Sequence, residues 1–208
     1  MSELQECENH GFYGERYSLF IQAEAAFTQL LSRAETYYRD TNRRVPVEHY
    51  KTRIKSAESA KEKLARLGLP QTPEAAASNL FDLVGIRIVC QFVSDIYALA
   101  QAICESGEME VVAQKDYIKN PKPNGYRSLH LILRLSIPQS CAIHMVPIEV
   151  QMRTIAMDFW ASLEHELKYK KNIADVELMF AELKRCADEI ASVDLSMQTI
   201  YEWIQQSD

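Results

Sequence analysis

The sequence predicts an α+β (mixed α/β) domain, a mixed β-sheet flanked by helices, with a long helix at the carboxyl-terminal end. Three observations predict it. Apolar residues follow helical spacing before residue 80, switch to β-branched runs between residues 84 and 152, and return to helical spacing from Thr154 onward. At 208 residues, 47 % of them apolar and 25 % charged, the chain suffices for one sizeable core and is too short for two full domains.

In chain order, residues 17–38 align Phe20, Phe27 and Ala34 with Leu30, Leu31 and Tyr38 on one helical face. Pro46 opens a second predicted helix, because its missing N–H costs little in a first turn; it runs to about Leu67 and stops at Gly68 and Pro70. Thr72-Pro73-Glu74 starts a shorter helix to about residue 79. Val84–Phe92 is β-branched and apolar, as a buried strand requires. A short helix over 95–105 closes near Gly107, and strands follow at 109–117, 127–136 and 142–152, with Pro121, Pro123 and Gly125 breaking the chain between the first two. Helical spacing then covers Thr154–Lys170. In the last segment Val176, Met179, Leu183, Cys186, Ile190, Val193, Met197, Ile200 and Ile204 alternate steps of three and four, a heptad seam that packs on its own domain or on a second subunit; its length favours a homo-oligomer. The expected segments are 1–44, an amino-terminal helical part, 45–171, the central domain, and 172–208, the carboxyl-terminal helix.

Met1–His10 is acidic and polar without an apolar run, so no signal peptide is expected, and no stretch is apolar enough to span a bilayer. Cys7, Cys90, Cys104, Cys141 and Cys186 are scattered and odd in number, which fits inert thiols in a reducing cytoplasm. The net charge of −6 is unevenly spread: residues 41–70 carry eight Lys/Arg against three Asp/Glu, 115–134 five against one, and 172–208 two against eight. An acidic molecule with local basic segments suits a phosphate-rich small ligand in a cleft better than a general nucleic-acid coat.

Three constellations can carry chemistry. If the second helix forms, Lys55, Ser59, Lys63 and Arg66 share a stripe opposite Ile54, Ala57, Ala60, Leu64 and Leu67. Such a stripe grips successive phosphates, or is a solvated face paired with Glu58 and Glu62. Asp82 stands at the entrance of one strand, and Glu149 lies inside Ile148-Glu149-Val150-Gln151-Met152, where alternation puts Glu149 and Gln151 on one face. Two such carboxylates hold Mg²⁺ or supply a general base, or they pair with Arg87 or Arg153. Finally, the stiff basic loop Lys119–Gly125 feeds Tyr126, Ser128 and His130, which share a face if residue 127 begins a strand; an aromatic beside cations suggests base stacking or plain packing. No phosphate-binding G-x-x-x-x-G-K-[ST] loop, G-x-G-x-x-G after a strand, zinc-spaced His/Cys cluster or G-x-S-x-G elbow occurs.

The blocks Tyr50–Leu64 (YKTRIKSAESAKEKL), Asp82–Tyr97 (DLVGIRIVCQFVSDIY), Asp116–Leu131 (DYIKNPKPNGYRSLHL) and Ile148–Lys170 (IEVQMRTIAMDFWASLEHELKYK) together resemble the small alarmone synthetases of the RelA/SpoT family. The resemblance spans roughly residues 45–170 and implies a nucleotidyltransferase-like sheet, with 45–171 as the catalytic domain. It implies that Arg53 and Arg87 sandwich adenine and that Lys55, Ser59, Lys63 and Arg66 hold the ATP phosphates. Asp82 and Glu149 would bind Mg²⁺, and Glu149 would take the proton from the 3′-hydroxyl of GDP or GTP as it attacks ATP. Tyr126 would stack on guanine, Lys122, Arg127 and His130 would contact the acceptor's phosphates or ribose, and Gln151 would position groups beside Glu149. Asp158 stands where many relatives carry Asn, and a carboxylate there still accepts from guanine N–H groups. The products would be ppGpp or pppGpp and AMP, made by a cytoplasmic homo-oligomer, a tetramer by the resemblance. No His-Asp dipeptide occurs, which implies synthesis without the family's hydrolase. The alternative is a toxin-type relative that pyrophosphorylates the 3′ end of tRNA, with Lys168, Lys170 and Lys171 supporting the RNA.

Overall fold

A computed structural model describes residues 3–139, 142–168 and 176–206; Cys141, Lys170 and Lys171 lie outside the described residues, as does the side chain of Lys168. Two helices, α1 (Glu3–Tyr13) and α2 (Arg16–Asp40), precede strand β1 (Val47–Ile54), and the short helices α3 (Ala57–Arg66) and α4 (Pro73–Asn79) lead to β2 (Val84–Cys90). Helix α5 (Val93–Glu105), β3 (Glu110–Asp116), the hairpin β4 (Leu129–Gln139) and β5 (Ala142–Thr154), α6 (Ile155–Lys168) and α7 (Val176–Gln205) complete the chain. The strands form one mixed sheet in the order β1-β2-β5-β4-β3, in which β2 and β5 run parallel and every other pair antiparallel. The expected mixed sheet between helices, with a long helix at the end, is what the chain forms.

Period-two alternation gives this sheet two unlike faces. Val84, Ile86, Ile88, Ile148, Val150, Met152, Leu129, Leu131 and Leu133 are buried in one core with Phe20, Ala23, Phe27 and Leu31 of α2 and Ile96, Leu99 and Ile103 of α5. On the other face, strand register aligns Arg53, Gly85 and Glu149 in one row and Lys51, Arg87, Gln151 and His130 in the next. The parallel pair β2–β5 therefore sits at the centre of a polar face.

One expected element is corrected. The helix from Pro46 to Leu67 is instead an edge strand followed by a three-turn helix. Residues 47–54 mix charged with β-branched and aromatic side chains, and they pair antiparallel with β2 from Val47↔Cys90 to Ile54↔Val84. Lys51 and Arg53 suit an edge strand, whose charges discourage further pairing. The helix starts later, where the Ser56 hydroxyl accepts from Ser59 N–H at 3.2 Å, a cap worth about 1 kcal/mol. Lys55 thus lies in the corner before α3 and not on its stripe, and Leu67 is exposed, whereas Ile54, Ala57, Ala60 and Leu64 are buried as expected. Helix α1 fastens this corner: Tyr13 Oη donates to Lys55 O at 2.9 Å, and Asn9 Oδ1 accepts from Ala57 N–H at 2.8 Å.

The heptad seam of α7 divides. Met179, Leu183, Cys186 and Ile190 pack with Trp160 and Ala161 of α6, while Val193, Met197, Ile200 and Ile204 are exposed. The half that follows turns a polar face to the domain instead. Asp194 Oδ2 accepts from Thr154 Oγ1 at 2.6 Å, Gln198 Oε1 accepts from Ser94 N–H, and Tyr201 stacks on Phe92 with its centroid 4.3 Å away.

Candidate active site

The polar face of the sheet, the turn before β4 and one side of α6 enclose a cleft of about 770 Å³, the size of a small-ligand site. Asp82 and Glu149 both line it, with Arg53, Lys63, Arg87, Lys122, Tyr126, His130 and Gln151. A slot between Arg53 and Arg87 opens beside it, floored by Gly85, and a third recess is lined by Lys55, Ser56 and Ser59. Arg53 lies across Gly85: a Cβ there would come within 3.1 Å of Arg53 Nε, so the glycine makes the room in which the guanidinium rests.

Asp82 precedes β2, and Lys55 and Lys63 reach it from either side of the α3 start, with Nζ 3.1 Å from Oδ2 and 2.9 Å from Oδ1 respectively. Burial pushes its carboxyl up, but the two lysines outweigh that and hold it below the usual carboxylate range. Neither Arg87 nor Arg153 is its partner. Oδ1 is buried, and its partner is the Lys63 ammonium, in an ion pair rather than a directed hydrogen bond.

Glu149 sits in a ring of polar contacts, four of them hydrogen bonds. Gln151 Nε2 donates to its Oε2 at 3.0 Å, and His130 Nδ1 lies 3.3 Å from its Oε1. On the far side of the imidazole, Tyr126 Oη lies 2.9 Å from Nε2. Arg153 closes the circuit, its Nη2 donating to Tyr126 Oη at 2.9 Å and to Gln151 Oε1 at 3.0 Å. Tyr126 Oη accepts from the arginine and meets Nε2 in a contact whose donor is set by the tautomer of the ring, while the Nδ1 side of the imidazole faces Glu149. Burial raises the Glu149 pKa, His130 and Gln151 lower it, and nearby Asp82 raises it; the net effect is below the usual range.

The donor chemistry of this pair suits a divalent cation. Asp82 keeps an oxygen without a hydrogen bond, and both acids supply the hard oxygen donors that Mg²⁺ prefers. Among the described residues no group of three or more His, Cys, Asp or Glu forms a ready metal cluster. Two carboxylates suffice where substrate phosphates and water complete the shell.

The remaining candidates divide between the cleft and its surroundings. Lys122 lies over the Tyr117 and Tyr126 rings at 4.7 and 4.8 Å. Asp158 Oδ1 is engaged by Arg153 Nη1 at 2.9 Å and lies 3.6 Å from Arg87 Nη1. Burial first, then the neighbouring Arg153 and Arg53 charges, pull the Arg87 guanidinium below its ordinary value despite Asp158, a cationic excess suited to an anion. Tyr126 precedes β4 rather than lying within it, and Ser128 is buried, donating to Met152 O, so the expected three-residue face does not form. Arg127 does not line the cleft: it reaches Ile118 O and Asp188 of α7. Arg66 sits in the last turn of α3, exposed.

Sequence reasoning treated Arg153 only as a salt-bridge partner and passed over Asn124 and Glu164, joined across the cleft wall at 2.8 Å. The signal for Arg153 was available: it alternates with Glu149 and Gln151 on the same strand face.

Residues 52–174 match the region found in RelA/SpoT proteins. The chain is 43 % identical over 152 residues to GTP pyrophosphokinase YwaC of Bacillus subtilis (strain 168), covering 73 % of this chain and 72 % of that protein. Its structure matches the crystal structure of small alarmone synthetase 2 from Bacillus subtilis with a TM-score of 0.82 at 37 % identity, covering 91 % of this chain and 98 % of the other. Small alarmone synthetase 1 from the same organism, bound to its product pppGpp, also matches at 0.82, with 32 % identity over 92 % and 97 % of the two chains. A family match over more than half the chain, a relative this similar along most of its length, and a shared fold carry the same conclusion: the chain belongs to the RelA/SpoT family.

Proposed function

We propose that the chain is a GTP pyrophosphokinase that moves the β,γ-pyrophosphoryl group of ATP to the 3′-hydroxyl of GDP or GTP, giving ppGpp or pppGpp and AMP. The observation that carries this reading is the convergence of Asp82 and Glu149 in one cleft beside Lys55, Lys63, Arg53 and Arg87. Its relatives are GTP pyrophosphokinases, which favours a guanosine acceptor over the 3′ end of a tRNA.

On the donor side Arg53 and Arg87 hold adenine between guanidinium planes, a role that needs the flat, delocalised arginine head. Lys55, Ser59, Lys63 and Arg66 hold the triphosphate, and the two lysines leave Asp82 in part as phosphate oxygens compete for them. On the acceptor side guanine stacks on Tyr126, and Lys122 and His130 meet its ribose and phosphates. Asp158, one oxygen taken by Arg153, offers the other to a guanine N–H. Glu149 accepts the proton of the 3′-hydroxyl while that oxygen attacks the β-phosphorus of ATP. The bond from the β-phosphorus to the oxygen shared with the α-phosphorus breaks, and AMP leaves with the electron pair. Asp82 and Glu149 would hold Mg²⁺, which would supply charge neutralisation during the transfer. Gln151 and His130 keep Glu149 ionised and aimed, so its geometry needs no rearrangement when the hydroxyl arrives.

The exposed row Val193, Met197, Ile200 and Ile204 on α7 supports a homo-oligomer, read by light scattering. The unpaired thiols of Cys7, Cys90, Cys104 and Cys186, together with helices too short or too polar to cross a membrane among the described residues, fit a cytoplasmic enzyme. Purified protein incubated with ATP, Mg²⁺ and, in parallel, GDP, GTP or tRNA tests the reaction. Equal amounts of AMP and of a guanosine tetra- or pentaphosphate are expected; label appearing on tRNA instead would replace the acceptor.

A further inference from the structure

We infer that helix α7 sets the acceptor site from behind, with Ala187 and Asp188 positioning the turn that carries Lys122 and Tyr126. This rests on the acceptor reading given above. The turn is compact: Gly125 N–H donates to Lys122 O at 2.8 Å, Lys122 N–H to Tyr126 O at 3.1 Å, and Asn124 ties it to Glu164. One turn of α7 contacts it on both sides of Tyr126. Before the tyrosine, Gly125 has φ +91° and presses on the helix so closely that a Cβ would lie 2.5 Å from Ala187 Cβ and 3.3 Å from Lys184 Cα. After it, Arg127 Nη2 donates to Asp188 Oδ1 at 3.2 Å, while its Nη1 donates to Ile118 O at 3.1 Å. Tyr126 itself packs among Trp160, Leu183 and Ala187, and Trp160 Nε1 donates to Leu183 O at 2.9 Å, locking α6 to α7 behind it.

The tyrosine that faces the acceptor is therefore set by a helix outside the sheet. Arg127, which the sequence suggested as a phosphate ligand, is a tether in this arrangement. No residue of α7 lines either the ATP slot or the cleft itself, so the helix acts through the turn it contacts, and disturbance of that contact should reach the acceptor and spare the donor.

The test measures KM for GDP and for ATP separately in the full chain, with GDP binding by calorimetry. Gly125→Ala is expected to raise the GDP KM about tenfold or more, because Cβ meets both a forbidden φ and the Ala187 methyl, while the ATP KM stays within about twofold. Adding Ala187→Gly removes the 2.5 Å clash, though neither the close approach to Lys184 nor the strain, and should recover part of the loss. Asp188→Asn, on a half-exposed turn that tolerates substitution, should raise the GDP KM about two- to fivefold and remains informative should Gly125→Ala not fold. Equal changes in both KM values, no recovery in the double variant, or an Asp188→Asn enzyme with wild-type GDP KM would overturn the inference. A folded wild-type protein that forms no guanosine product would instead remove the functional reading beneath it.

Discussion

The donor and acceptor halves of the cleft are built differently. The donor half comes from one stretch, Arg53 to Arg87, and presents cations loosely paired with carboxylates, Lys55 and Lys63 with Asp82 and Arg87 with Asp158 at 3.6 Å. The acceptor half draws on the turn before β4, on β5, α6 and α7, and its polar groups are already bonded to one another around Glu149. The contrast teaches that ATP is held by charge that its own phosphates satisfy, whereas the nucleophile enters a preset frame. Variants on the two sides should therefore fail in different ways.

The largest effect is expected at the base. Glu149→Gln keeps size but replaces one accepting oxygen with an amide nitrogen that takes neither a proton nor a hydrogen bond, so kcat should fall by about 10²–10⁴ while the melting transition drops only modestly. Steady-state and melting measurements together check it.

Next comes the arginine that closes the ring. Arg153 is 4 % exposed and donates to Tyr126, Gln151 and Asp158. Arg153→Met strands three acceptors and should cost about 3–5 kcal/mol of stability in urea unfolding. Arg153→Lys keeps the charge yet loses the fork, and kcat should drop roughly 10- to 100-fold with the ATP KM little changed.

On the donor side, Arg53→Lys should raise the ATP KM about tenfold through lost stacking, leaving the GDP KM alone. The acidic limb of the pH–rate profile gives a smaller, shared signature. Both carboxyls are held below their usual range when folded, so their stabilising contribution is present above the unfolded pKa and is lost as pH falls through the folded one. The limb should lie on the acid side of ordinary carboxylates, and Gln151→Ala should move it toward neutrality. The smallest effect is expected at exposed Arg66, where Arg66→Gln should change the ATP KM by no more than about threefold, and less in high salt.

Much of the donor half was legible because its chemistry is local in sequence. An acid at a strand entrance and another inside an apolar strand stand out, and both reached one cleft. Strand β1 was not legible: Val47–Ile54 mixes charge with apolar residues at spacings that fit a helix, and only pairing with β2, thirty or more residues on, decides its state. The ring around Glu149 was hidden for a related reason. Its members come from positions 126, 130, 149, 151 and 153, and only the register of β4 on β5 brings them together. Helix α7 misled by its own regularity. The apolar seam is real, yet Asp194, Gln198 and Tyr201 face the domain because Thr154, Ser94 and Phe92 offer them partners.

Position-specific labelling tests the chemistry most directly. ATP labelled at the β-phosphate is supplied with GDP and Mg²⁺, and the products are separated. Attack at the β-phosphorus predicts that all transferred label resides in the 3′-pyrophosphate of ppGpp and that the AMP released is unlabelled. Label retained in ADP would mean that only the γ-phosphoryl group moves, and the arrangement of Asp82 and Glu149 would then need another explanation.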